Sequence, residues 1–304
     1  VQTCALPIWF VPEYFESEKT NLLEAIRSLV NDKRDWADSR LLRTMCTGEP
    51  YSIPRLGDEE TVAKLQALRL YDQYRDLITT APLEIIYSGS AELDRVRQAL
   101  AAAFATLPRE EVRTIADAVP HVCRESVQTV EDEMEVTQGK LSMGFSCGSD
   151  DMPALLLGNT LFGGSSNSKL FLNVREKLSL CYYASSMYHR QKGIITVSSG
   201  IEFQNYQRAY DEILSQLAAV QNGELEEWEL AGARSTLLNS YATVGDSQGK
   251  LENFYLGQAA TGRSETPADL AQAVMEVSAE RICRAMSTVK LDTVYFLKGK
   301  EAQA

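Results

Sequence analysis

The sequence predicts an α+β fold in which helices pack on one face of a mainly antiparallel sheet. Two periodicities indicate this class: apolar residues recur at helical spacing along 93–107 and 203–220, and alternate with small or polar residues along 141–147. Two further segments, 182–189 and 194–200, flank Gln191-Lys192-Gly193 and predict a β-hairpin. Strands and helices in this order are typical of a sheet covered by helices.

The predicted helices follow one another with identifiable apolar stripes. The first stripe comprises Leu22, Leu23, Ile26, Leu29 and Val30. The second comprises Leu93, Val96, Leu100, Phe104 and Leu107. The third extends from Phe203 to Val220, and Asn222-Gly223 then predicts a helix end, because glycine readily adopts the left-handed conformation found there.

The chain also contains an internal repeat. "LEIIYSG" begins at Leu83 and "LDTVYFLKG" at Leu291, 208 positions later, and each follows a predicted helical segment. The same shift places 17–33 over 225–241, so the sequence predicts two copies of a unit of roughly 200 residues. We expect residues 1–10 to be a non-native junction, 11–118 the C-terminal part of a truncated first half, and 119–304 the second half.

Composition limits the partners and the compartment. The net charge of −12 disfavours nucleic acid and anionic membranes. No apolar run is long enough for a transmembrane helix. Six cysteines are scattered without a Cys-x-x-Cys pair, which favours free thiols in a cytoplasmic protein.

The stretch "LFGGSSNSKLFLNVREKLSLCYYASS" resembles the second-half signature of the M16 (pitrilysin or insulinase) peptidase family. "YDQYRDLITTAPLEIIYSGS" resembles the helix and strand that close the first half of such proteins, which implies a strand at 83–89. The resemblance covers residues 11–304 and implies two homologous halves that face each other across a chamber. "NDKRDWADSRLLRTMCTGEPY" and "HRQKGIITVSSGIE" further resemble a non-catalytic bacterial branch named for association with 5-aminopentanol modification of elongation factor P.

The resemblance implies that catalysis needs a zinc ion held by His-x-x-Glu-His and a later glutamate. His121 and His189 are the only histidines, and neither has the required spacing. Glu18 matches the first of two glutamates seven apart in catalytic relatives, but Ala25 stands at the second, the zinc-ligand position. Glu24 is turned from that position by about 100° on a helix. We therefore expect no metal ligand, catalytic residue or cofactor in this chain, and zinc in a partner.

Arg175 and Tyr182, seven positions apart, match a family pair that holds substrate. The resemblance implies that the Arg175 guanidinium binds peptide carbonyls and that the Tyr182 hydroxyl donates a hydrogen bond to the developing oxyanion. The spacing selects Tyr182 over Tyr183. In the structural alternative, Arg175 interacts with the last carbonyls of its helix and Tyr182 is a half-buried strand residue.

These observations predict the non-catalytic subunit of a heterodimer, which completes the peptide-binding chamber of a zinc-bearing M16 partner. Two alternatives remain open. The first is an active zinc metalloendopeptidase whose His-x-x-Glu-His lies in the missing N-terminus. The second is an accessory protein in elongation factor P modification without peptide chemistry.

Overall fold

The computed structural model describes residues 10–114 and 119–300. These residues form two compact units. The first contains the described residues within 1–29, 55–117 and 248–263, and the second those within 30–54, 118–247 and 264–304. The predicted boundary near residue 118 rests on the internal repeat and stays a prediction, whereas these units reflect packing alone.

A five-stranded sheet forms the centre of the second unit. In chain order its strands are β1 (Gln128–Met134), β2 (Gly139–Cys147), β3 (Cys181–His189), β4 (Ile194–Ile201) and β5 (Val289–Gly299). Their spatial order is β1-β5-β2-β4-β3, with β1 and β5 parallel and every other pair antiparallel. The mainly antiparallel α+β fold is therefore confirmed, and β3 lies at an edge of the sheet.

Five α-helices surround the main hydrophobic core on one face of this sheet. They are α6 (Met152–Phe162), α7 (Tyr206–Gln221), α8 (Glu227–Ala242), α10 (Pro267–Met275) and α11 (Ala279–Met286). The start of α6 is fixed twice by Asp151, whose carboxylate accepts from Ala154 N at 3.2 Å and pairs with Arg281 of α11 at 2.9 Å. Phe145 of β2 and Phe162 of α6 meet edge to face in this core.

One helix, α2 (Lys33–Met45), lies on the opposite face of the sheet. Ala37 and Leu41 pack against Tyr295 and Leu297 of β5 in a second, smaller core. The sequence predicts helices on one face of the sheet only. The structure adds α2 as a second helical layer, which the apolar periodicity of the sequence did not indicate.

The first unit contains α1 (Pro12–Ser28), α3 (Glu59–Ala63), α4 (Ala67–Thr80), α5 (Leu93–Phe104) and α9 (Gln248–Ala260). Lys19 Nζ donates to Leu65 O at 3.1 Å, and Arg27 pairs with Glu59 at 2.6 Å, which ties α1 to the α3 region. The predicted strand at 83–89 does not form, and Leu83 and Ile85 are half exposed. A strand needs a neighbour for its backbone N–H and C=O groups, and the described part of this unit has none.

None of the helices within 10–114 and 119–300 has the length and apolar character required to cross a bilayer.

Candidate functional site

Arg175 lies on a π-helix, Leu170–Lys177, where the sequence predicts an ordinary helix end. The widened turn is visible in the hydrogen bond from Leu178 N to Asn173 O at 3.1 Å. Leu170 and Val174 are fully buried and anchor the π-helix to the core, whereas the Arg175 side chain is 41% exposed. Helices of this kind are rare and occur often at functional sites.

Neighbouring groups fix the direction of Arg175. Its guanidinium lies over the Phe171 ring at 4.7 Å from the centroid, and its Nε is 3.6 Å from a Glu176 carboxylate oxygen. Both contacts are within the π-helix. These contacts use only part of the five donors of the guanidinium.

A buried ion pair holds the start of the π-helix. Lys169 Nζ lies 3.0 Å from each carboxylate oxygen of Glu229 at the start of α8. Glu229 also accepts from Glu226 N at 2.9 Å, which closes the capping box of α8. The other end of the π-helix leads to Ser179, whose φ of 51° places a non-glycine residue in the left-handed region.

Arg175 lines a groove of about 670 Å³ that lies entirely within the second unit. Its walls come from α2, from the loop at 163–166, from the π-helix, and from β3 and β4. Position 163 requires glycine, because a Cβ there would lie only 2.8 Å from Ser186 N. The Gly163 carbonyl accepts a hydrogen bond from the same Ser186 N at 2.9 Å. The Gly-Gly-Ser-Ser sequence thus makes a tight connection along β3.

Tyr183 and Arg34 form the polar centre of the groove. The Arg34 guanidinium lies 4.4 Å from the centroid of the Tyr183 ring, and its Nη2 donates to Ser185 Oγ at 3.0 Å. Burial raises the pKa of the Tyr183 hydroxyl to about 12. Asp38, on the same face of α2, accepts from Ser142 Oγ at 2.6 Å, and burial raises the pKa of its carboxyl.

Tyr182 has different surroundings from Arg175. Its side chain is exposed, its hydroxyl donates to Glu202, and this hydrogen bond raises the pKa of the phenol. The register of β3 shifts between Cys181 and Tyr183, so Tyr183 is the tyrosine that faces the groove together with Arg175. The seven-residue spacing cannot reveal this, because only the pairing of β3 with β4 sets the register. The role of Arg175 and Tyr182 in holding peptide stays a prediction.

The first unit contains the two positions compared with the family's later glutamates. Glu18 is exposed on α1, and Ala25 offers only a methyl group, which cannot bind a metal. Across the described residues, one group of three side chains brings metal-ligand atoms together: Cys46, Glu49 and His121, whose atoms lie within 4.8 Å of one another. Sequence reasoning missed this group because it comes from distant segments.

The second histidine has ordinary partners. His189 at the end of β3 lies with Nδ1 2.9 Å from the Tyr51 hydroxyl and Nε2 3.0 Å from Thr196 Oγ1. Burial lowers its pKa.

The fold, with a helix-lined sheet and a groove at its edge strand, defines the class of M16-like peptidase domains. The family model described as "Peptidase M16 inactive domain" matches residues 64–237, which is more than half of the chain. The "Probable inactive metalloprotease YmfF" of Bacillus subtilis (strain 168) is 35% identical over 298 residues, covering 96% of this chain and 69% of that protein. The chain therefore belongs to the M16 peptidase family.

Solved structures agree with this assignment. A conserved protein from Enterococcus faecalis V583 superimposes with a TM-score of 0.86 at 25% identity, over 98% of this chain and 71% of that one. A peptidase M16 inactive domain from Pseudomonas fluorescens gives a TM-score of 0.79 at 16% identity, over 97% and 73% of the two chains. The protein is an inactive-type M16 peptidase homologue, and it spans about 70% of the length of these relatives.

Proposed function

We propose that this protein is the non-catalytic subunit that completes the peptide-binding chamber of a zinc-bearing M16 partner. The observation that carries the proposal is the combination of Ala25 at the zinc-ligand position with an outward-facing Arg175 on a π-helix beside a groove. A chain that has lost a metal ligand but keeps a peptide-binding guanidinium is suited to hold peptide without cutting it.

Arg175 is the residue on which peptide binding depends in this proposal. Its planar donors match backbone carbonyl oxygens, and losing a charge-assisted hydrogen bond costs about 1.5–3 kcal/mol. Arg175→Ala is therefore expected to weaken peptide affinity roughly ten- to a hundredfold. The variant should melt within a few degrees of wild type, because its contacts are local to the π-helix.

Tyr182 would act on the partner's chemistry, where its neutral hydroxyl donates to a developing oxyanion. Tyr182→Phe is expected to lower turnover by the complex and leave assembly unchanged. Tyr183→Phe is the comparison variant, since it removes a hydroxyl from the groove one residue along. A loss from Tyr183→Phe as large as that from Tyr182→Phe, or losses that track the thermal melts, would contradict the oxyanion role of Tyr182.

Assembly provides a separate test. We expect a 1:1 complex with a second M16 chain, through an interface above about 1,000 Å². Co-expression of the full-length protein with an M16 protein encoded by a neighbouring gene, followed by size-exclusion chromatography, measures this. Monomers at micromolar concentration would contradict the proposal.

The two alternatives have distinct outcomes. Chelator-sensitive cleavage of peptide by the purified full-length protein alone would identify an active metallopeptidase. Deletion of the gene provides the test of the accessory role. A deletion strain that still grows normally on peptide but loses the modification of elongation factor P would favour this role. We also assign the protein to the reducing cytoplasm, on the basis of free cysteines such as Cys46 and Cys147.

A further inference from the structure

Three side chains from separate segments of the second unit meet at one end of its sheet. Cys46 directly follows α2, Glu49 lies in the next turn, and His121 lies in the segment before β1. We propose that Cys46, Glu49 and His121 form a binding site for one zinc ion or a similar divalent transition metal. This inference is independent of the proposed peptide chamber.

Backbone hydrogen bonds hold the three residues in position. Glu49 N donates to Cys46 O at 2.9 Å, and His121 N donates to Lys192 O at 2.9 Å. The ligand atoms, one from each side chain, lie within 4.8 Å of one another. Ligand atoms around tetrahedral zinc are about 3.3–3.8 Å apart, given bonds of about 2.0–2.3 Å. A pair at the 4.8 Å limit would have to approach by about 1–1.5 Å, and His121 Nδ1 and Glu49 Oε1, now 2.9 Å apart, would have to separate slightly.

Burial makes the site selective and leaves one side open. Cys46 is fully buried and the His121 side chain is 4% exposed, whereas the Glu49 side chain is 29% exposed. A thiolate, an imidazole and a carboxylate together suit zinc, and the open side provides the fourth position. Calcium and magnesium prefer sites made of oxygen atoms alone.

A buried carboxylate orients the imidazole. Asp292, with no exposed surface, lies 3.2 Å from His121 Nε2 and also accepts from Arg124 N at 2.8 Å. Carboxylate–histidine–metal arrangements use such a partner to fix the tautomer. With Nε2–H directed at Asp292, His121 Nδ1 faces Glu49 Oε1 at 2.9 Å, where the metal would lie between them.

The charges of the proposed ligands suit a divalent cation. A metal-bound cysteine is a thiolate, so Cys46 and the Glu49 carboxylate would together offset the two positive charges of the ion. Lys192 is bound to Glu49 Oε2 and to Val119 O, which leaves Oε1 for the metal.

The test uses the full-length protein, stripped by a chelator and titrated with Co²⁺ and then Zn²⁺. We expect Co²⁺ to give a thiolate-to-cobalt charge-transfer band, which Zn²⁺ then removes. Wild type should bind one zinc per chain, and Cys46→Ser should bind none at this site. Cys147→Ser is the matched control: it removes another buried thiol outside the cluster and should keep the band. Asp292→Asn should weaken binding about 10–100-fold.

Circular dichroism melts check that each variant folds. His121→Gln removes a second proposed ligand, and Glu49→Gln replaces it in the test if His121→Gln does not fold. No charge-transfer band in wild type, or equal zinc content in wild type and Cys46→Ser, would overturn the proposal. Zinc retained by Cys46→Ser would lie elsewhere in the chain. This result would refute the metal site without testing the proposed peptide chamber, so the two proposals can fail separately.

Discussion

The buried pair of Lys169 and Glu229 allows a quantitative test of how the Arg175 helix is held. The two side chains are 9% and 7% exposed, and Nζ lies 3.0 Å from both carboxylate oxygens. Lys169→Met keeps most of the aliphatic volume and leaves the Glu229 carboxylate buried without its cation. Removing one partner of a buried ion pair costs about 3–5 kcal/mol, because the remaining charge is uncompensated.

The loss should be visible in both chemical and thermal unfolding. At about 2–4 °C per kcal/mol for a unit of 150–250 residues, the expected fall in Tm is about 6–20 °C. Urea denaturation followed by circular dichroism gives the free energy of unfolding directly, provided that the slope of the transition is unchanged.

The double variant Lys169→Met/Glu229→Gln separates the charge from the packing. Glutamine can still accept from Glu226 N and preserve the capping box. We therefore expect the double variant to recover about 2 kcal/mol relative to Lys169→Met alone. A single variant that costs under about 1 kcal/mol, or a double variant no more stable than the single one, would refute the reasoning.

Three further predictions concern stability. Phe145→Ala should lower the free energy of unfolding by about 3–5 kcal/mol in urea, because this fully buried ring packs against Phe162, and a cost under about 1 kcal/mol would contradict the core assignment. Ser179→Gly should raise it by about 0.5–1 kcal/mol, since glycine adopts the φ of 51° without strain, whereas Ser179→Ala should give no gain. Burial raises the pKa of Asp38, so the folded state holds the carboxyl proton more tightly than the unfolded state does. The contribution of this carboxyl to stability therefore falls as pH rises from about 4 toward its folded pKa. Asp38→Asn should remove this pH dependence from the free energy of unfolding, and an unchanged dependence in the variant would contradict the prediction.

Several elements could be predicted because their signal is local. The hairpin at Gln191-Lys192-Gly193 is confirmed, with Gly193 at a φ of 65° between β3 and β4. The stripe along 203–220 forms a 3-10 turn (Phe203–Asn205) followed by α7, and its end at Asn222-Gly223 is confirmed by the φ of 78° at Gly223. The strand expected at 83–89 was wrong, because a strand requires a neighbouring chain that local pattern does not supply.

The candidate site was only partly accessible to sequence reasoning. The signature around Arg175 located the helix that carries this residue, since family resemblance depends on the order of residues along the chain, but it did not indicate the π-helical form. Tyr183 was set aside, because the seven-residue spacing selected the preceding tyrosine. Arg34 was missed, because it comes from a helix about 150 positions away. The metal-ligand cluster was missed for the same reason: Cys46 and His121 carry no shared motif.

The sequence by itself determined the α+β class, the periodic helices and the family, because each depends on residue type and spacing along the chain. The loss of a zinc ligand at Ala25 stays a prediction. The tertiary structure alone decided that α2 covers the second face of the sheet and that Tyr183 rather than Tyr182 lines the groove. The physical reason is that side-chain direction on a strand depends on its register with neighbours, and packing of a helix on a sheet depends on contacts between residues far apart in sequence.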